Sequence, residues 1–271
     1  MYFIKTQDGV KIAVYDLNPK SGKTVVMIHG WPLSQEIFEY QKRMLVDAGY
    51  RVVTMDLRGF GKSDAPAFGY RYDQLAFDVF QVIRSLKLKA FVLAGFSMGG
   101  AVALRYMRLF QGYEVKKLVL LAAAAPRFTR APGFPYGMTK EDVNQLIQQA
   151  ETDRAQLAEE FSRMLLACPH SDAIKNWFRN LSLEASGIGT VSTAYSLRDE
   201  DVRRDLSFVH VPTGIFHGKK DKVVPFELAL LQQERIRRAR LFPFENSGHG
   251  VFYDELSLFN QTFLTFLESD R

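Results

Sequence analysis

The stretch Gly95-Phe96-Ser97-Met98-Gly99-Gly100 carries the strongest chemical signal in the sequence. It fits G-x-S-x-G, follows an apolar run that reads as a strand and precedes a helical pattern, the context in which such a turn presents a reactive serine. Glycine at both ends permits a tight turn, which would lift Ser97 Oγ off the strand end. The next backbone N–H, that of Met98, points into the same space. The helix starting there adds the positive end of its dipole where an oxyanion would form. The bland alternative is a glycine-rich turn with an incidental serine.

A serine hydroxyl needs a base, and the base an orienting acid. Among five histidines, His249 lies in Ser247-Gly248-His249-Gly250, a small-residue loop after the last strand pattern, where an imidazole can reach across the strand ends. His210 precedes its strand and falls at the wrong edge of the sheet; His217 ends that strand and reads as structural. The acid follows by elimination. After the run Leu118–Ala124 no carboxylate appears until Glu141, whereas Asp221 sits in His217-Gly218-Lys219-Lys220-Asp221, 28 residues before His249. The alternative for Asp221 is a surface carboxylate balancing neighbouring lysines.

A second oxyanion donor is expected from the loop His29-Gly30-Trp31-Pro32. Pro32 has no N–H, so the Trp31 backbone N–H is the candidate, with Gly30 allowing close approach. His29 reads as a satisfied structural histidine. The segment Asp56–Ser63 mimics the end of a phosphate loop, but the first glycine of G-x-x-x-x-G-K-S is replaced by Asp56. It also lacks the third glycine of a dinucleotide fingerprint. It is expected to be a turn in which Arg58 pairs with Asp56. No histidine pair has metal-ligand spacing and Cys168 is the single cysteine, so neither a metal nor a cofactor is expected.

Elements must hold these residues. Apolar runs at Thr24–Ile28, Arg51–Met55, Phe91–Phe96, Leu118–Ala124, Thr213–Phe216 and Leu241–Phe244 alternate with helical patterns at Gln35–Ala48, Tyr72–Leu86, Gly99–Phe110, Phe226–Ile236 and Glu255–Glu268. Continuous runs of this kind suit parallel strands covered on both faces. The opening, Phe3–Thr6 and Lys11–Leu17, reads as an antiparallel hairpin at the sheet edge. The 83 residues from Pro126 to Phe208 show no strand. Helices capped by Thr139 and Ser171, and a third over Gly189–Leu197, point to a helical cap (126–208) inserted in a core made of 1–125 and 209–271. Trp31, Phe96, Phe128, Phe134, Tyr136 and Trp177 are the candidate substrate-binding residues, on the expectation that a few of the cap aromatics line an apolar pocket.

Composition fits this reading. The chain has 271 residues, 47% hydrophobic and 24% charged, ordinary globular usage that excludes disordered, collagen-like and coiled-coil classes. One cysteine excludes a disulfide scaffold. No apolar run approaches the ~18 residues of a membrane span, and the start has no leader pattern, so a cytoplasmic protein is expected. The net charge is +5. Its densest cluster, Arg235, Arg237, Arg238 and Arg240, has no interleaved aromatics for base stacking. It reads as a solvated helix end, with an acidic partner as the alternative; no nucleic-acid partner is expected, and a homo-oligomer is left open.

With these motifs in order, the sequence resembles the α/β-hydrolase superfamily over essentially its whole length. Within it the stretches Gly95–Gly99 and His29–Ser34 are similar to the cofactor-free haloperoxidase or perhydrolase and arylesterase branch. The resemblance implies an α/β fold with a mostly parallel sheet of about eight strands, Ser97 as nucleophile, His249 as base then acid, Asp221 as orienter, and Trp31 and Met98 N–H groups as oxyanion hole. Serine at the elbow departs from the epoxide hydrolases and haloalkane dehalogenases, which carry aspartate there. In that branch a proline beside the oxyanion residue is linked to perhydrolysis; Pro32 fits this, or it only shapes the turn. The expected substrate is a small or aromatic carboxylic ester, with perhydrolase or lactamase side activity. Two alternatives stand beside it: a C–C bond hydrolase with the same triad, and a slow-turnover signalling receptor on the hydrolase fold.

Overall fold

The computed structural model describes residues 1–269. Eight strands form one sheet in the order β1-β2-β4-β3-β5-β6-β7-β8. The hairpin β1 (Tyr2–Lys5) and β2 (Lys11–Leu17) occupies one edge, with β2 antiparallel to β4. From β4 onward every pairing is parallel. The strands β3 (Thr24–Ile28), β4 (Arg51–Met55) and β5 (Phe91–Phe96) coincide with the apolar runs. Their side chains are buried almost throughout, because helices cover both faces. These include α1 (Glu39–Asp47), α2 (Tyr72–Ser85), α3 (Met98–Leu109), α8 (Phe226–Arg235) and α10 (Leu256–Glu268).

β6 runs Val115–Leu121, three residues earlier than the apolar run suggested. Lys117 enters the strand by carrying its Nζ to the carbonyls of Phe266 and Leu267, at 2.8 and 2.9 Å, so a charged residue sits where only apolar ones were expected. At the other end Ala122 adopts a positive φ of 41° and the strand stops. The alanines that follow are buried, with the Ala124 N–H donating to the Ser97 carbonyl at 2.9 Å. The small side chains make room for the elbow rather than extending the sheet.

Between β6 and β7 (Thr213–Gly218) the chain leaves the sheet for a helical insert: α4 (Lys140–Thr152), α5 (Arg154–Met164), α6 (Asp172–Leu183) and α7 (Gly187–Asp199). Thr139 and Asp142 cap α4 reciprocally and Ser171 caps α6. Helix α5 was not read from the sequence. It begins immediately after α4, where the Asp153 side chain accepts from the Gln156 N–H, so no loop separates the two patterns. β8 (Ala239–Phe244) forms the far edge, followed by the short α9 (Val251–Asp254). Among the described residues no helix is long and apolar enough to cross a membrane.

The Asp56–Ser63 turn corrects one expectation: Arg58 does not pair with Asp56. Asp56 accepts from the backbone N–H groups of Gln35 and Lys62, both at 2.9 Å, and so closes its own turn. Arg58 instead reaches α2, where it meets the Asp78 carboxylate at 2.6 and 2.7 Å, both side chains 1% exposed. Removing Asp78 leaves the buried guanidinium only the half-exposed Asp8 carboxylate, 3.0 Å away. Asp78→Ala should therefore lower stability by roughly 1.5–3 kcal/mol, read as a drop in the urea midpoint; a loss below about 1 kcal/mol would mean the pair behaves as a surface one.

Candidate active site

Ser97 occupies the junction between β5 and α3 at φ 53° and ψ −120°, a conformation costly for a residue with a side chain. Glycines make the turn feasible. A Cβ on Gly99 would fall 2.4 Å from the Ile28 carbonyl oxygen, and one on Gly30 would fall 2.7 Å from Ser97 Cβ. The His29–Trp31 loop therefore abuts Ser97. Met98 opens α3, so its N–H has no acceptor within the helix.

His249 Nε2 lies 2.9 Å from Ser97 Oγ, and His249 Nδ1 lies 2.8 Å from Asp221 Oδ2. A carboxylate facing Nδ1 places the proton there and leaves Nε2 free to accept from the serine. Both Asp221 oxygens are occupied: Oδ1 accepts from the Val223 and Val224 N–H groups, each at 2.8 Å, while Oδ2 is also 3.2 Å from His217 Nε2. Burial alone would push the Asp221 carboxyl up. The facing His249 charge and the hydrogen bonds from His217 and His249 reverse this and hold it well below the usual carboxylate range.

The His249 loop is clamped by acidic residues at its back. Asp254 Oδ2 accepts from the Gly248 N–H at 2.7 Å, and the same carboxylate accepts from the Ala167 and Cys168 N–H groups of the insert and meets His170 Nε2 at 2.9 Å. The Gly250 N–H donates to the Leu165 carbonyl at 2.6 Å. The insert and the His249 loop are thus one connected unit.

Ser97 opens into a cavity of about 80 Å³ whose wall is mostly apolar. Of the candidate substrate residues, Trp31 and Phe128 line it. Trp31 is fixed there by its Nε1–H donating to the Thr190 carbonyl at 2.9 Å and by an edge contact with Phe161. The others lie elsewhere. Phe96 is fully buried and packs on the His249 ring at 4.8 Å and on Phe252. Trp177 packs on Phe178 and Tyr253. Phe134 and Tyr136 pack on each other and line a separate groove, because the bridged turn Ala131–Phe134 directs them to the base of the insert. In their place α4, α5 and α7 supply Val143, Leu146, Leu157, Phe161 and Leu197, with Lys222 and Glu160 adding charge to the lining. The spacing of Leu157 and Phe161 on one helical face was the available signal for α5.

His29 is a structural residue. Its Nδ1 is 2.9 Å from the Gly30 carbonyl, its Nε2 accepts the Leu57 N–H at 3.0 Å, and it is fully buried. Burial pushes it down to about 4, the Gly30 contact opposing only weakly. A folded-state value below the unfolded one means the unfolded chain binds the extra proton. The stability contribution is complete above the ordinary histidine range and is lost as pH falls toward 4. About 3 kcal/mol should be lost between pH 7 and 4, and His29→Asn should flatten that part of the pH–stability curve in urea titrations; an unchanged slope would count against it.

A family model for the alpha/beta hydrolase fold matches residues 23–256. The chain belongs to the α/β-hydrolase fold family. It is 44% identical over 268 residues to the AB hydrolase superfamily protein YisY of Bacillus subtilis (strain 168), covering 99% of each chain. Among solved structures it superposes on the esterase EaEST from Exiguobacterium antarcticum with a TM-score of 0.96 at 47% identity, covering 99% of each chain. It superposes on the bromoperoxidase from Bacillus anthracis with a TM-score of 0.92 at 33% identity, covering 97% of each. These relatives put it in the haloperoxidase and esterase branch, among carboxylesterase-type hydrolases.

Proposed function

We propose that the chain hydrolyses small or aromatic carboxylic esters through an acyl-enzyme on Ser97. The observation that carries this reading is the unbroken contact series Ser97 Oγ–His249 Nε2 and His249 Nδ1–Asp221 Oδ2 at 2.9 and 2.8 Å. Ser97 Oγ attacks the ester carbonyl while His249 Nε2 takes its proton. The Met98 and Trp31 N–H groups receive the developing oxyanion. His249 then returns the proton to the departing alcohol, and water, activated by the same imidazole, releases the acid. Hydrogen peroxide in place of that water would yield a peracid; the resemblance to a structure described as a bromoperoxidase supports this as a side reaction.

The helical insert acts as a lid that sizes the substrate. The cavity of about 80 Å³ favours short acyl groups. Steady-state turnover of p-nitrophenyl acetate should exceed that of the decanoate by roughly tenfold or more in kcat/KM, about 1.4 kcal/mol in the transition state. Faster turnover of the decanoate would overturn the size argument. A single burst without turnover on any ester would favour the receptor alternative, and exclusive turnover of a ring-cleavage diketone the C–C hydrolase.

A further inference from the structure

We propose that the arginine-lined groove at the base of the helical insert binds a small organic phosphate. The groove has a volume of about 850 Å³, within the ~300–1,000 Å³ of ligand sites, and is separate from the Ser97 cavity. Four arginines from three segments border it: Arg108 on α3, Arg203 and Arg204 on the segment leaving the insert, and Arg235 at the end of α8. Phe134 and Tyr136, from the segment entering the insert, supply an aromatic wall.

The charge there is only partly balanced from within. Asp201, the carboxylate on the lining, is shared by Arg203 at 2.6 Å and Arg127 at 3.3 Å. Asp205 meets Arg108 at 3.1 Å and also Arg105, which has Asp73 and Glu200 as further partners. Arg204 has no carboxylate partner among the described residues, and Arg235 meets only its exposed neighbour Glu234 at 3.4 Å, a contact worth little. Arg203 and Arg108 are ion-paired, whereas Arg204 and Arg235 lack a strong carboxylate partner. Planar guanidinium forks suit an anion with several oxygens, above all a phosphoryl group. The aromatic wall, over which Arg203 lies 5.6 Å from the Phe134 ring centre, suits a ligand with a ring or apolar body rather than a bare ion.

The position gives such a ligand a lever. The Val202 N–H donates to the Pro126 carbonyl at 2.9 Å, so the entering and leaving segments of the insert meet beside the groove. A ligand held there would bridge both segments to α3 and α8. The proposal does not rest on the ester-hydrolase reading, because Ser97 lines a different cavity and the test uses no activity.

Calorimetric titration of the whole chain at low ionic strength, with ADP as probe and adenosine alongside, tests it. Saturable one-to-one binding of ADP, with adenosine at least about tenfold weaker, is expected. Arg204→Ala/Arg235→Ala should weaken ADP roughly tenfold or more. Arg237→Ala/Arg240→Ala removes the same charge outside the groove and should leave affinity within about twofold. Absence of saturable binding, equal binding of adenosine, or equal losses in the two double variants would overturn the site. The four arginines changed are exposed; should the groove double variant fail to unfold cooperatively, Arg204→Gln is titrated in its place with the same expectation.

Discussion

Ser97→Ala should lower kcat/KM for p-nitrophenyl acetate by about 10⁴–10⁶-fold while leaving the urea midpoint nearly unchanged. The backbone at this position already adopts φ 53°, and alanine inherits that cost unaltered. The lost hydroxyl removes one contact to His249, whose Nδ1 remains held by Asp221 at 2.8 Å, so the fold keeps its local anchors. His249→Ala should fall to a similar level, and the double variant little further, because nucleophile and base act as one unit. The residual rate would come from the Met98 and Trp31 N–H groups and from binding alone. Retention of more than about a tenth of wild-type activity by Ser97→Ala would sink the acyl-enzyme reading. The same would follow if Ser97→Ala and His249→Ala losses simply multiplied.

What could be read from the sequence follows from how local its physical cause is. Strands β3, β4 and β5 are local: each is an unbroken apolar run between polar turns, and each begins and ends where the run does. The Ser97 elbow is local too, since glycine spacing alone encodes the approach of α3 to β3. His249 and Asp221 follow from chain order along a parallel sheet, and the structure brings them to Ser97. β6 was displaced because a buried Lys117 depends on carbonyls near the C-terminal end, 149 residues away. The Arg58 partner was misassigned because Asp78 becomes a neighbour only once α2 packs beside the turn. Substrate contacts were the least legible part. The absence of strands and the helix caps located the insert, but which of its rings face Ser97 depends on how α4, α5 and α7 lie over the strand ends. Phe134 and Trp177 have the same chemistry as Phe161, and only tertiary packing separates them.

Asp221→Asn tests the least replaceable feature of the site and should cost about 10⁴-fold in kcat. The argument is one of donor count. In the wild type one oxygen accepts two backbone N–H groups, from Val223 and Val224, and the other faces His249 Nδ1 and His217 Nε2. A carboxylate can accept on both sides; an amide cannot. The backbone donors cannot change, so the amide oxygen must serve them, and the NH₂ then faces the histidines. His249 is forced to accept at Nδ1 and to carry its proton on Nε2, pointing at Ser97 Oγ. An imidazole in that form cannot take the serine proton. The effect should therefore appear in kcat rather than KM, and adding base should not restore it, because the tautomer and not the ionisation is wrong. Stability should respond with the same pH sign as that of His29, in a more acidic window. The Asp221 carboxyl is held below its unfolded value, so its contribution is present above the ordinary carboxylate range and lost only as pH falls beneath it. The variant should therefore differ most from wild type at neutral pH and converge with it in acid. A variant within about tenfold of wild type would show that Asp221 does not set the His249 tautomer, and the carboxylate would then be a structural tie between the β7 and β8 loops.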